Sequence, residues 1–407
     1  MKQRISFLAM LSMLIACQSG NHINEKTGRA IDAQKDSTTN FYYDDLARYL
    51  AGLELPEDSA LHPYTDDKEY KFHKEKMTQF WEKVRHDSIA PITAWRENKL
   101  SQNPNGMTCN PDQAAMYPLS GADIINLYTL CPHAKEYIMI AVEKAGDLPH
   151  PEKHSDRFYA GLSAMRYVIN NIADRNYFFS AHMREKITHN TEIPGIGPVL
   201  LTFTSGLGWR IVNFEKIYLA PDGVPIINND PSIDNTPRGV RIWFRVPDDS
   251  RLRSLTYIQQ YLNNETVSDD RPLARFVKTK RGAFMLLKAA IYLMHNQDFQ
   301  NVQNLFVTIP NVIIQDDSGF KYVDLRNHFD ISIYGIFDRP ALIDASIPQR
   351  NQIQPELTAF YKEKNPEKLN FHFGYGSLRK PPVSNLMVAH RKSVVHQKSK
   401  NSEKAQD

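Results

Sequence analysis

Between residues 41 and 100 large apolar side chains recur at three- and four-residue spacing, with Tyr70, Met77, Phe80, Trp81 and Val84 marking one face of a long run. That period predicts helices laid over a sheet, and Pro91 is placed to open a further short one. The turn residues of 102–111 close the region. The pattern then alternates between strand and helix. Residues 117–123 (Tyr-Pro-Leu-Ser-Gly-Ala-Asp) lead into a helix ending near Cys131, and 136–143 is apolar on both faces, as a central strand is. Helices are expected over 158–172 and 177–185, and the Gly/Pro hinge 194–198 leads into another. A strand over 210–219 is followed by the turn Pro221-Asp222-Gly223 and a return strand over 224–227, a hairpin signature. Residues 239–246 alternate strictly, Val240, Ile242, Phe244 and Val246 against Arg241, Trp243 and Arg245, predicting a half-exposed strand.

The stretch 281–322 gathers the most suggestive residues. Residues 283–294 are apolar almost all the way round and are expected to form a helix, followed by a second short helical pattern. The apolar strand at Val312, Ile313 and Ile314 then breaks into Asp316-Asp317-Ser318-Gly319. Further on come a strand over 329–337, a helix through 357–362 and a short segment at 370–373, before Pro, Ser, Lys, His and Gln take over from Lys380. The sum is an α/β fold: one large domain with a mixed, partly parallel sheet covered by helices. Its divisions are a helical N-terminal region (41–110) packed on the main domain (111–379), and a disordered basic tail (380–407). No internal repeat stands out.

The ends carry a separate message. Lys2 and Arg4 precede an apolar run over 5–16 that is too short to span a bilayer as a mature helix, the form of an export signal (1–16). Leu14-Ile15-Ala16-Cys17 resembles the lipobox of bacterial lipoproteins, in which the signal is cleaved before the cysteine and that cysteine is lipidated. The alternative is a general secretory signal with an incidental cysteine. In Gram-negative lipoproteins an Asp after the cysteine favours inner-membrane retention; Gln18 stands there, so the resemblance implies the outer membrane. Residues 17–40 hold almost no large apolar side chain and read as a disordered tether, with a mean reach on the order of 25 Å.

Composition adds little beyond ordinary globular usage: 42% apolar and 23% charged residues over 407 positions, enough to bury a sizeable core. Cleavage after residue 16 would remove two of 49 basic side chains and none of 46 acidic ones, leaving a net charge of +1. That balance argues against nucleic acid as the main partner. Export permits a disulfide between Cys109 and Cys131, although Cys131 also sits in an apolar run where a buried thiol would be at home.

Missing motifs prune the chemistry: there is no Gly-x-Gly-x-x-Gly, Walker loop, His-Glu-x-x-His, Cys-x-x-Cys or Gly-x-Ser-x-Gly. Ser120 and Asp123 read as a capping box at a helix start rather than a nucleophile with its carboxylate. His150, His154 and Asp156 have metal-ligand types, but Pro151 interrupts the helical face and no third ligand presents itself, so no metal is assigned and the cofactor is left unknown. On a helix over 283–294, Lys288, Tyr292 and His295 would share one face, either as its solvent edge or against a polar cleft. Asp316-Asp317-Ser318-Gly319 suits a hairpin turn joining 312–314 to 320–323. If the sheet is parallel there, Asp316, Asp317 and Glu143 instead lie at strand carboxyl ends, where ligands of open α/β sheets collect. Arg241 and Arg245 beside Trp243 form either an anion-friendly face or a solvated one.

The segments at 117–123, 292–295 (Tyr-Leu-Met-His) and 314–319 (Ile-Gln-Asp-Asp-Ser-Gly) resemble those of an uncharacterised family of bacterial lipoproteins and exported proteins, over about residues 110–375. That resemblance implies no activity and supplies no catalytic residues. Two functional expectations stand together. One is an envelope module, anchored to the membrane through Cys17, that binds a small ligand, glycan or protein partner using Lys288, Tyr292, Glu143, Arg241 and Arg245. The other is a hydrolase-like enzyme with Asp316 or Asp317 and His295 as its acid–base pair, with or without a divalent cation.

Overall fold

Along each inner strand, neighbouring side chains enter two different apolar clusters. Ala115 and Tyr117 enter one and Ala114 and Met116 the other; Tyr137 and Met139 oppose Ile138 and Ile140; Phe284 and Leu286 oppose Met285 and Leu287. A strand buried on both faces needs no polar alternation, which is why these segments read as continuous apolar runs. The computed structural model describes residues 41–100, 109–153, 155–177, 192–228, 237–340, 353–378 and 383–392.

Helices α1 (Tyr42–Leu50), α2 (Lys68–Val84) and α3 (Ala90–Lys99) come first, the last two joined by a π-helical turn, Arg85–Ile89. Strand β1 (Ala114–Pro118), α4 (Ile124–Leu130), β2 (Glu136–Ala141), α5 (Asp156–Arg175) and α6 (Gly197–Gly206) come next. Then come β3 (Arg210–Leu219), β4 (Pro225–Ile227), β5 (Arg238–Val246), β6 (Asp249–Gln259), α7 (Pro272–Lys278), β7 (Ala283–Leu287), α8 (Gln300–Thr308) and β8 (Pro310–Gln315). The described chain ends with α9 (Tyr322–Leu325), β9 (Phe329–Gly335), α10 (Pro355–Lys364) and β10 (Asn385–Arg391).

The ten strands make one mixed sheet in the order β4-β3-β5-β6-β2-β1-β7-β8-β10-β9. Its central five, β6-β2-β1-β7-β8, are parallel, and antiparallel pairs flank them on both sides. The N-terminal helices share one apolar cluster with the sheet through Leu46, Met77, Trp81 and Ile92, whereas α7 and α8 cover the opposite face through Phe276 and Phe306. Gly206 lets α6 approach α2, since a Cβ there would lie 2.0 Å from the Trp81 ring. Cys109 and Cys131 form a disulfide, with Cα atoms 5.2 Å apart.

Several expectations give way. Residues 283–294 are not a helix: Gly282, at φ +83, starts a buried five-residue strand, and left-handed backbone at Ala289, Ile291 and Tyr292 comes after it. An unbroken apolar run fits a buried helix and a buried strand equally, and five residues suffice for the strand. The Asp316–Gly319 segment is not a hairpin, because Tyr322–Leu325 is helical and β8 pairs with β7 and β10 instead. The basic tail does not begin at 380, since β10 lies between β8 and β9 with Leu386, Met387, Val388 and Ala389 buried. Asp123 alone caps α4, accepting from the Asn126 amide, while the Ser120 hydroxyl donates to the Gly121 carbonyl. Residues 1–40, 178–185 and His154 lie outside the described residues.

Candidate functional site

Parallel strands all end at the same edge of a sheet, so the segments after β1, β7 and β8 are brought together however far apart they lie in sequence. Ser120 and Asp123 come after β1, Lys288 after β7, and Asp316 and Asp317 after β8, while antiparallel β10 begins there with Asn385. All are buried, Asp316 at 0% exposure and Lys288 and Asp123 at 1% each.

Two charged clusters result. In the first, the Lys288 ammonium lies 2.7 Å from Asp123 Oδ2, donates to the Asn176 carbonyl and stands 5.8 Å over the Phe373 ring. Asp123 Oδ1 also accepts from Asn126 Nδ2 at 2.8 Å, and Asn126 bonds Asn176 Oδ1 at 2.6 Å. Burial pulls the Lys288 pKa down, and Asp123 opposes that shift. In the second, Asp316 Oδ1 accepts from the Ser318 hydroxyl (2.6 Å), the Ser318 amide (3.2 Å) and the Ala289 amide (3.3 Å), while Oδ2 accepts from the Tyr375 amide (3.2 Å). Gly374 makes the last contact feasible, since a Cβ there would meet Asp316 Oδ2 at 1.8 Å. Asp317 accepts from the Tyr292 hydroxyl at 2.5 Å and from Asn385 Nδ2 at 2.7 Å, and its amide donates to Asn385 Oδ1 at 2.7 Å. Burial first, and the Asp317 charge second, push the Asp316 pKa up to about 7.

The backbone around the clusters is strained. Leu119, Asn176, Ala289, Ile291 and Tyr292 have φ between 51 and 62, five of the seven left-handed non-glycine residues among those described. Left-handed backbone costs about 1–2 kcal/mol for an ordinary residue and a β-branched one such as Ile291 is worse placed still, whereas Asn176, which caps the end of α5, bears it at little cost. The loop after β7 is held in this shape by the two carboxylates and Ser318: Asp316 takes the Ala289 amide, Ser318 Oγ takes the Ala290 amide, and Asp317 takes the Tyr292 hydroxyl.

The expected residues divide accordingly. Lys288, Tyr292, Asp316 and Asp317 do converge, through strand ends rather than a helix face. His295 is buried with its ring 5.3 Å from that of Tyr292, whose hydroxyl donates to Asp317. Glu143 follows β2 at the same edge but meets Tyr257 of β6, whose hydroxyl donates to its carbonyl at 2.7 Å. Arg241 and Arg245 are not brought in. They lie on β5, four strands from β7, where Arg241 stacks on Trp243 at 4.9 Å and pairs with Glu215 at 2.8 Å, and Arg245 donates to the Ser250 carbonyl. His150 pairs with Glu152 at the surface, and no group of three or more His, Cys, Asp or Glu among the described residues could hold a metal ion. Asn176, Tyr375 and Asn385 went unforeseen; the glycines at 374 and 376 were the only local signal for Tyr375, and Asn385 lay in what composition assigned to the tail. No family model matches the chain, and neither a curated protein nor a solved structure was found to match it.

Proposed function

We propose that this is a lipid-anchored cell-envelope protein, attached through Cys17, that binds a polar ligand, a glycan or a protein partner at the carboxyl ends of β1, β7 and β8. The observation that carries the reading is the coincidence of five left-handed residues with two desolvated charged clusters at one sheet edge. Each of those features costs stability on its own, and folds tolerate such costs chiefly where a site is being shaped. The oxygens of Asp316 are taken up by protein donors, which suits a preformed recognition loop better than an open catalytic base. Soluble envelope-glycan fragments added to the full chain are expected to raise its Tm. The Ile291→Gly variant, which relaxes the loop without touching the charges, should lower that shift at equal fragment concentration. An identical shift in wild type, Ile291→Gly and Lys288→Met would rule out the site.

A second reading, a hydrolase-like enzyme using Asp316, Asp317 and His295, is favoured by one observation. An Asp316 pKa near 7 suits a general acid or base working at neutral pH. Release of reducing ends from the same fragments, abolished in Asp316→Asn and His295→Gln, would establish it; turnover surviving both substitutions would dismiss it.

A further inference from the structure

A groove runs along the outside of the helical layer, using residues apart from the buried clusters except Asn176. Three adjoining cavities of about 550, 200 and 870 Å³ share their walls. Lys83 and Asp174 border the first and second, and Asp87 and His372 border the second and third. One wall is the continuous helical run from Phe72 on α2 through the π-turn to Pro91 on α3, a length on the order of 28 Å at the rise of an α-helix. The opposite wall begins on α5 at Ser163, Arg166 and Tyr167 and ends at Lys368 and His372.

Its chemistry is uneven. Phe72 and Tyr167 are large aromatic side chains left 51% and 55% exposed in the first cavity. Lys76 Nζ and Arg166 Cζ each lie 5.4 Å from the Phe72 ring centroid, so two cations stand beside this aromatic patch. Across the whole groove the lining holds four cations, Lys76, Lys83, Arg166 and Lys368, against two carboxylates. Both carboxylates are engaged within it, Asp174 by Lys83 at 2.6 Å and Asp87 by His86 at 2.7 Å. Gln79, Asn170 and Ser163 add amide and hydroxyl groups. The π-turn supplies His86, Asp87 and Ser88 where the second and third cavities meet, and such turns recur at functional sites.

We propose that this groove binds a linear, anionic saccharide, its sugar faces resting on Tyr167 and Phe72 and its carboxylate or sulfate groups meeting Lys76, Arg166 and Lys368. Exposed rings beside amide groups suit a ligand with alternating apolar faces and hydroxyls. The excess of cations suits acidic sugars, and the elongated shape suits a polymer of several units. An extended peptide is the poorer fit, because both walls of the first cavity are helical and offer no sheet edge to which a strand could add.

Isothermal titration of the full chain with a galacturonate hexasaccharide tests this, beside maltohexaose and a glutamate hexapeptide. Wild type is expected to bind the galacturonate oligomer more weakly as salt rises, and to bind the neutral sugar at least about tenfold more weakly. Tyr167→Ala, and separately the pair Lys76→Ala with Lys368→Ala, should each weaken it about tenfold. These side chains are surface groups, and an unchanged Tm confirms that the variants fold. No binding by wild type, or equal binding by wild type and both variants, overturns the groove. Binding of the glutamate peptide as tight as that of the galacturonate oligomer overturns the saccharide assignment. Because Ile291→Gly leaves the groove intact, galacturonate binding that survives this substitution separates the groove from the site at the strand ends.

Discussion

Asp316 sits without solvent contact beside a second carboxylate, and its pKa near 7 in the folded chain compares with about 4 for an unfolded aspartate. Between those values the folded protein keeps a proton that the unfolded chain has released. Its stabilising contribution is therefore complete below pH 4, falls as pH rises from about 4 to 7, and is gone above 7. Asp316→Asn cannot ionise and should remove that slope. Urea unfolding at pH 4.5 and pH 8 is expected to show a loss of about 2–4 kcal/mol in wild type beyond any loss in the variant, and parallel profiles would contradict the assignment. Lys288 and Asp123 pose the complementary case of a buried pair 2.7 Å apart. Lys288→Met leaves a desolvated carboxylate behind and should cost about 3–5 kcal/mol. Asp123→Asn retains an oxygen to cap α4, so the double variant should lose less than the two single losses combined, by more than about 1 kcal/mol in a double-mutant cycle.

Elements with a clear period were legible: the alternation of Val240, Ile242 and Phe244 against Arg241 and Trp243 appears as drawn in β5, and Asp222-Gly223 does turn β3 into β4. Where the apolar run is unbroken, as from Ala283 onward, period carries no information, and only Gly282 hinted that a strand begins. β10 was lost for another reason: four buried apolar residues were averaged into a polar, basic stretch. Nor could sequence reveal that the loop after β7 is left-handed, because Ala, Ile and Tyr are residues that ordinarily avoid that backbone. The loop's strain is measurable. Ile291 is 40% exposed, so Ile291→Gly gives up little burial while relieving a φ of 54. A gain of about 1 kcal/mol in thermal unfolding is expected; a variant less stable than wild type would mean that the loop is not strained.

At the scale of the whole molecule, the helix that would align Lys288, Tyr292 and His295 does not exist, yet sheet order brings Lys288 and Tyr292 to Asp316 and Asp317 because β7 and β8 are adjacent and parallel, the arrangement under which those carboxylates lie at strand carboxyl ends. Asn176, Tyr375 and Asn385 join them from distant segments, and only the assembled topology could have named them. The same distinction between local and assembled information separates the proposed leader from the body. On the proposed reading residues 1–17 would direct export and anchoring, a message that the fold of the described residues does not reveal, whereas the Cys109–Cys131 bridge belongs to that fold and is favoured by an oxidising compartment. The two can be tested as one claim about where the protein matures. In cells fed an alkyne-tagged palmitate, wild type should incorporate the label and Cys17→Ser should not. Chain denatured in a thiol trap straight from cells should show Cys109 and Cys131 unmodified. Closing a loop of 22 residues, the bridge is expected to contribute about 3 kcal/mol, read as a lower urea midpoint after reduction. Label in wild type together with alkylated Cys109 and Cys131 would mean that the chain reaches the membrane without passing through an oxidising compartment, and the envelope assignment would fall even though the anchor stood.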